Sequence, residues 1–207
     1  MNKSEKFWDR IANQWEKQDS ELDQDSIRTV ENTKKHLNSS DIVLDYACGI
    51  GTMTQEIAAN VKEIHAIDIT SKMIAIAKRN AGERKIENIH FSQATIFDDR
   101  FIIESFNVIL AFNILHLLED IQQVMQRINE LIKSGGLFIS ATPCLGEKMA
   151  FIGIFLNLLS KMGIVPNLKI LKISDLSDSI VSANFEILET ENLDHSLPNY
   201  FVVAKKL

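Results

Sequence analysis

Cysteine is scarce in this chain of 207 residues: only Cys48 and Cys144 occur, far apart and each in an apolar setting. They provide neither a disulfide framework nor a paired metal-ligand spacing, so two buried thiols are expected and no metal site is read. Eight glycines and three prolines exclude collagen-like and low-complexity classes. No apolar run reaches the roughly 18 residues needed to cross a bilayer. The opening MNKSEKFWDR carries charges where a secretory signal needs an apolar core. The expected location is therefore the cytoplasm. Basic charge is not in excess either: 22 Lys and Arg stand against 28 Asp and Glu, for a net charge of −6. Nucleic-acid backbones are bound by clustered Lys and Arg, so they are not the expected partner.

What is present suits one soluble domain over residues 1–207, with 45% hydrophobic and 24% charged residues. Residues 1–40 are polar and helix-compatible, with Ile27, Val30 and Leu37 at helical spacing, and two helices are predicted there. Strand-like and helix-like patterns then alternate. DIVLDY, EIHAID, NIHFSQA, FNVILAF and GLFISAT read as strands, separated by helical stretches such as SKMIAIAKRNA and LEDIQQVMQRINELI. The pair Gly135-Gly136 is expected to end the last of these helices. FEILETENL and NYFVVAKKL are joined by too few residues for a crossover helix and should pair antiparallel. The prediction is an α/β, Rossmann-like doubly wound sheet of seven strands. It is mainly parallel, closes with an antiparallel C-terminal hairpin and carries helices on both faces.

The stretch VLDYACGIGTMT, Val43 to Thr54, places an acid and two glycines at the end of the first strand. Glycines there let a ligand touch backbone, and a doubly wound sheet binds its ligand in the adjoining crevice. A tight turn without a ligand would use the same residues. The dinucleotide fingerprint fails at its third position, which is Thr54. Asp68 ends the second strand, where a carboxylate accepts hydrogen bonds from vicinal ribose hydroxyls or caps the next helix. Together the two features indicate an adenosine-containing cofactor, either a dinucleotide or S-adenosylmethionine (SAM).

Five motifs in order, VLDYACGIGT, HAIDITSKMIAIAK, NVILAFNILHLLED, INELIKSGGLFISATP and ANFEILET, resemble those of class I SAM-dependent methyltransferases. The similarity is strongest to the small-molecule branch that includes ubiquinone- and menaquinone-biosynthesis enzymes. It extends from FWDRIANQWE, which resembles that family's N-terminal cofactor-covering segment, to YFVVAKK. The resemblance implies that Asp45, Ala47, Cys48, Gly49 and Gly51 surround the methionine end of SAM. It also implies that Asp68 holds the ribose and that Ile69 and Met73 lie against the adenine. Ala94, Thr95 and Ile96 would border the adenine edge, and Asn113 the methionine amino group. Two positions depart from the family pattern: Ala47 replaces the first glycine of the turn, and Thr95 replaces an acid.

A sulfonium already activates the methyl group, so no nucleophilic side chain is required and no catalytic residue is assigned. His116 is either a pocket residue suited to general-base work or a buttress for the following helix. Phe7, Trp8 and Trp15 either close over the cofactor or pack on the sheet. The apolar insertion 143–166 is a candidate lid, and its part 149–159 a candidate interfacial or dimer contact, with Glu147 and Lys148 at its start. The expected activity is methyl transfer from SAM to a small, partly apolar acceptor, yielding S-adenosylhomocysteine (SAH). A non-catalytic SAM- or SAH-binding protein and an NAD-dependent oxidoreductase are the alternatives.

Overall fold

The computed structural model describes residues 3–18, 22–147, 168–194 and 198–207. Residues 148–166 of the insertion 143–166, which include the 149–159 stretch of the lid and interfacial readings, and the side chains of Trp15 and Glu147 lie outside the described residues. Two helices, α1 (Lys3–Gln18) and α2 (Gln24–Lys34), precede the first strand, as expected. The strands are β1 (Ile42–Tyr46), β2 (Glu63–Asp68), β3 (Ile89–Gln93), β4 (Phe106–Phe112), β5 (Ile132–Pro143), β6 (Phe185–Asn192) and β7 (Asn199–Lys206). Between them run α3 (Thr52–Ile57), α4 (Ser71–Glu83), α5 (Ile121–Leu131) and α6 (Ile173–Ser182).

All seven strands form one sheet in the order β3-β2-β1-β4-β5-β7-β6. β1 to β5 pair parallel, and β7 lies antiparallel between β5 and β6. The buried run VIL of β4, Val108 to Leu110, explains why that strand reads as apolar throughout: it is covered on both faces. One apolar core joins Val30 of α2, Ile57 of α3 and Ile74 of α4 to one sheet face. A second joins Met125 and Ile128 of α5, and Leu176 and Ile180 of α6, to the other. α1 packs on α4 through Ala12, Met73 and Ile76, with Trp8 against the same cluster.

Two local expectations change. The glycine pair does not end α5. That helix stops at Leu131, and Ile132 is already extended. Gly135 and Gly136 instead lie inside β5, where the register jumps from Phe106↔Ile132 to Val108↔Leu137. The extra β5 residues fold around Asn107, whose Oδ1 accepts from the Ile42 backbone N–H and the Lys133 Nζ. A bulge and a helix stop both call on glycine, so the residue type alone does not distinguish them. Helix α6 was also not anticipated, although Ile173, Leu176 and Ile180 have helical spacing and the Asp175 carboxylate accepts from the Lys172 N–H at its start.

A Cβ at position 136 would lie 2.6 Å from the Asn107 carbonyl oxygen and 2.7 Å from Ile132 Cγ2. Gly136→Ala should therefore destabilise the fold by about 2 kcal/mol through overpacking against backbone. Urea unfolding checks this, and an unchanged midpoint would show that the bulge yields freely.

Candidate active site

After β3 the chain returns across the sheet to β4 on the other side of β1, so β1 and β4 flank the topological switch point. Open α/β sheets bind ligands outside the strand ends at such a point. A cavity of about 910 Å³ opens there, walled by the ends of β1, β2 and β4, the starts of α2 and α5, and Ser4 and Trp8 of α1. That volume lies in the upper part of the usual range for small-molecule sites.

The β1–α3 loop supports the floor. Ala47, Gly49 and Gly51 have φ of 64°, 57° and 77°, a left-handed alternation that costs a non-glycine residue roughly 1 to 2 kcal/mol. Ala47 bears that cost where the family pattern has glycine. The Cys48 N–H bonds the Ile67 carbonyl at 2.9 Å, which ties the loop to β2. Asp68 makes the second tie: its Oδ2 accepts from the Gly49 N–H at 3.1 Å, while Oδ1 accepts from the Thr70 N–H and Oγ1. A carboxylate offers about four acceptor directions, so these three bonds leave about one on Oδ2 for a hydroxyl. Burial raises the Asp68 pKa, the bonds from Thr70 and Gly49 hold it down, and Asp9 raises it further.

Asp45 is buried and accepts from Thr54 Oγ1 at 2.5 Å. Its pKa is raised to about 6, first by burial, against the Thr54 bond, and further by the charge of Asp68. Thr54, the residue that breaks the dinucleotide fingerprint, is thus committed to Asp45. Of the two thiols, Cys144 is buried, but Cys48 is half-buried and borders the cavity. Burial and the nearby carboxylates push the Cys48 thiol well up, so it is protonated and unreactive at neutral pH.

Most of the residues singled out in the sequence meet at this wall: Asp45, Ala47, Cys48 and Gly49 on one side, Asp68, Ile69 and Met73 on another, then Thr95, Asn113 and Trp8. A Cβ built on Gly49 meets nothing within 4 Å, so this glycine faces open space. Gly51 does not border the cavity. A Cβ there would lie 3.0 Å from the Phe91 ring and 3.2 Å from the Ala77 Cβ, so its missing side chain serves the packing of loop on sheet and α4. Ala94 and Ile96 also lie off the wall, inside the core beneath α5. His116 sits in a 3-10 turn behind the wall, with its backbone carbonyl accepting from Lys169 N–H at 2.7 Å. Its Nδ1 is buried without a hydrogen-bond partner among the described residues, and burial lowers its pKa to about 4. The neighbouring Leu117 and Leu118 face the cavity instead.

Reading the sequence missed the wall contributed by two helix starts. Asp23 caps α2 by accepting from the Ser26 N–H at 2.8 Å, and Asp120 caps α5 by accepting from the Gln123 N–H at 2.9 Å. All four residues border the cavity, with Glu119 beside them. Their only sequence signal is that of an ordinary N-cap.

Asp45 also makes stability depend on pH. Its folded pKa lies above the ordinary 3.8, so its contribution is favourable below that value and is lost as pH rises through about 6. Asp45→Asn retains an acceptor for Thr54 without the charge. The stability of the variant relative to the native protein should rise by about 2 to 3 kcal/mol between pH 4 and pH 7. Denaturant titrations across that range test it, and a flat difference would place the raised pKa elsewhere.

Residues 37–187 match a methyltransferase-domain family model. The uncharacterized methyltransferase YcgJ of Bacillus subtilis (strain 168) is 27% identical over 113 residues, which cover 55% of this chain and 43% of that protein. The chain thus spans less than half of that relative's length. The ubiquinone biosynthesis O-methyltransferase of Rickettsia bellii (strain OSU 85-389) is 26% identical, over 99% of this chain and 95% of the relative. Among solved structures, geranyl diphosphate C-methyltransferase from Streptomyces coelicolor A3(2), in complex with Mg2+, geranyl diphosphate and SAH, superposes with a TM-score of 0.73. It is 11% identical, over 87% of this chain and 79% of that one, a likeness of fold. The family match covers the sheet from before β1 into β6, and the architecture agrees with it: the chain belongs to the class I methyltransferase family.

Proposed function

We propose that this protein transfers a methyl group from SAM to a small, partly apolar acceptor. One observation carries the reading: at the switch point a glycine with open space before it and the carboxylate of Asp68 border the same cavity, joined by a hydrogen bond. The residues present fit an adenosyl cofactor. Asp68 has an acceptor direction left for a ribose hydroxyl, Ile69 and Met73 offer an apolar flank for a purine, and Asp45 supplies negative charge for a cationic ligand. The crystallised relative bound to SAH supports the same choice.

When bound, the cofactor supplies a methyl group already activated by positive sulfur. The chain's tasks are then to fix the adenosyl moiety, bring an acceptor into line and exclude water. The rigid ties among Cys48, Gly49, Asp68 and Thr70 perform the first task. Phe112, Ile114, Leu117 and Leu118 give the acceptor side an apolar surface. Trp8 from α1 borders the cavity while packing on the cluster that joins α1 to α4, which adds apolar surface to the wall. His116 is not among the described residues that border the cavity, and burial lowers its pKa to about 4, which favours a role in positioning the turn that carries Leu117.

Calorimetric titration with SAM, SAH and NAD tests the reading. Micromolar binding of the two adenosyl-sulfur ligands and none of NAD is expected, whereas NAD binding alone would overturn it. Release of SAH from SAM on screening acceptors separates an enzyme from a non-catalytic binder. Asp68→Asn should weaken SAM by about ten-fold, the loss of one charge-assisted hydrogen bond. Because a cationic ligand pairs with ionised Asp45, SAM affinity should also strengthen up to about ten-fold as pH rises through 6. That pH dependence should vanish in Asp45→Asn.

A further inference from the structure

The charge of the wall limits the acceptor more sharply than its shape does. Asp23, Asp45, Asp68, Glu119 and Asp120 border the cavity, and among the described residues no Lys, Arg or His side chain does. Lys169 Nζ donates to the Glu119 carbonyl at 2.5 Å and keeps its positive charge, so it offsets one of the acids on this side, while Lys72 Nζ donates to the Asp9 carbonyl at 3.2 Å. The starts of α2 and α5 contribute about half a positive charge each, which offsets only a minority of the acids. If SAM occupies the side with Asp45 and Asp68, then Asp23, Glu119 and Asp120 remain around the rest of the cavity, together with its apolar surface.

Resting on the methyl-transfer reading, we infer that this site accepts an apolar molecule that is neutral or cationic, such as a phenol, thiol or amine, and rejects carboxylates, phosphates and diphosphates. Asp23, Glu119 and Asp120 are exposed at the cavity rim, so an anion entering here meets like charge that solvent screens only over about a Debye length. No side chain described on the wall pairs with it. An amine-bearing acceptor meets carboxylates that are already fixed as helix caps, so little side-chain freedom is lost on binding.

Trp8 reports this charge before any acceptor is known. In a Trp15→Phe protein, quenching of Trp8 fluorescence by caesium, acrylamide and iodide compares a cation, a neutral molecule and an anion at the wall. The ratio of caesium to iodide quenching should exceed that of N-acetyltryptophanamide at least three-fold. It should fall by half or more in Glu119→Gln/Asp120→Asn, while Glu83→Gln on the distant end of α4 leaves it unchanged. Equal quenching by the two ions, or a ratio insensitive to the double variant, overturns the inference. Acceptor screening uses triplets on one skeleton, 4-ethylcatechol, dopamine and 3,4-dihydroxyphenylacetate, with and without Mg2+. Faster SAH release from the carboxylate in any condition also overturns it. Failure of SAM and SAH to bind would defeat the methyl-transfer reading instead, and the quenching contrast would still read the charge of the cavity.

Discussion

The hydrogen bonds around the Asp68 carboxylate hold the cavity end of this molecule in place. One oxygen takes the Gly49 N–H from the loop after β1, and the other takes Thr70 at the start of α4. Two crossovers that would otherwise move independently are thereby joined at adjacent strand ends. The cost is a carboxylate removed from water, which its three donors offset. The same bonds limit how many lone pairs the group has left to offer the cavity.

A second buried acid stands close by. Asp45 lies one strand over with a single side-chain donor, Thr54, and its pKa of about 6 shows the difference in support. Two carboxylates in one site with unequal solvation commonly differ in how readily each responds to pH. Here the responsive member sits at the floor, where a cationic ligand would complete its partnership.

How much of this was legible in the sequence follows from the range of each signal. The strands were readable because β-branched apolar runs such as DIVLDY and FNVILAF pack on both sheet faces, a property local to the run. Asp45, Gly49 and Asp68 were readable because their spacing along one βαβ unit brings them to one strand end. Gly51 was placed in the site by the family resemblance, yet which way it faces depends on Phe91 and Ala77, distant in sequence. Gly135 and Gly136 were assigned to a helix stop because a bulge gives no separate sign. Asp23 and Asp120 were passed over since a cap looks the same whether or not a cavity lies beyond it. His116 was read either as facing the cofactor or as a buttress for the following helix, and the residues of its turn that border the cavity are Leu117 and Leu118.

The position of β7 also governs how the sheet is completed. Asn199–Lys206 is the seventh of the described strands in chain order, yet it is an interior one, bonded to β5 on one side and β6 on the other. While the chain is being synthesised, β5 lacks its outer neighbour and β6 has no partner at all until residues near 206 have emerged. The half of the sheet from β3 to β5 can assemble from local crossovers, but the other half closes only by insertion of a late strand between two waiting edges. An emerging chain therefore carries unpaired β-edges for longest at β5 and β6, which is where a nascent-chain chaperone would have most to protect.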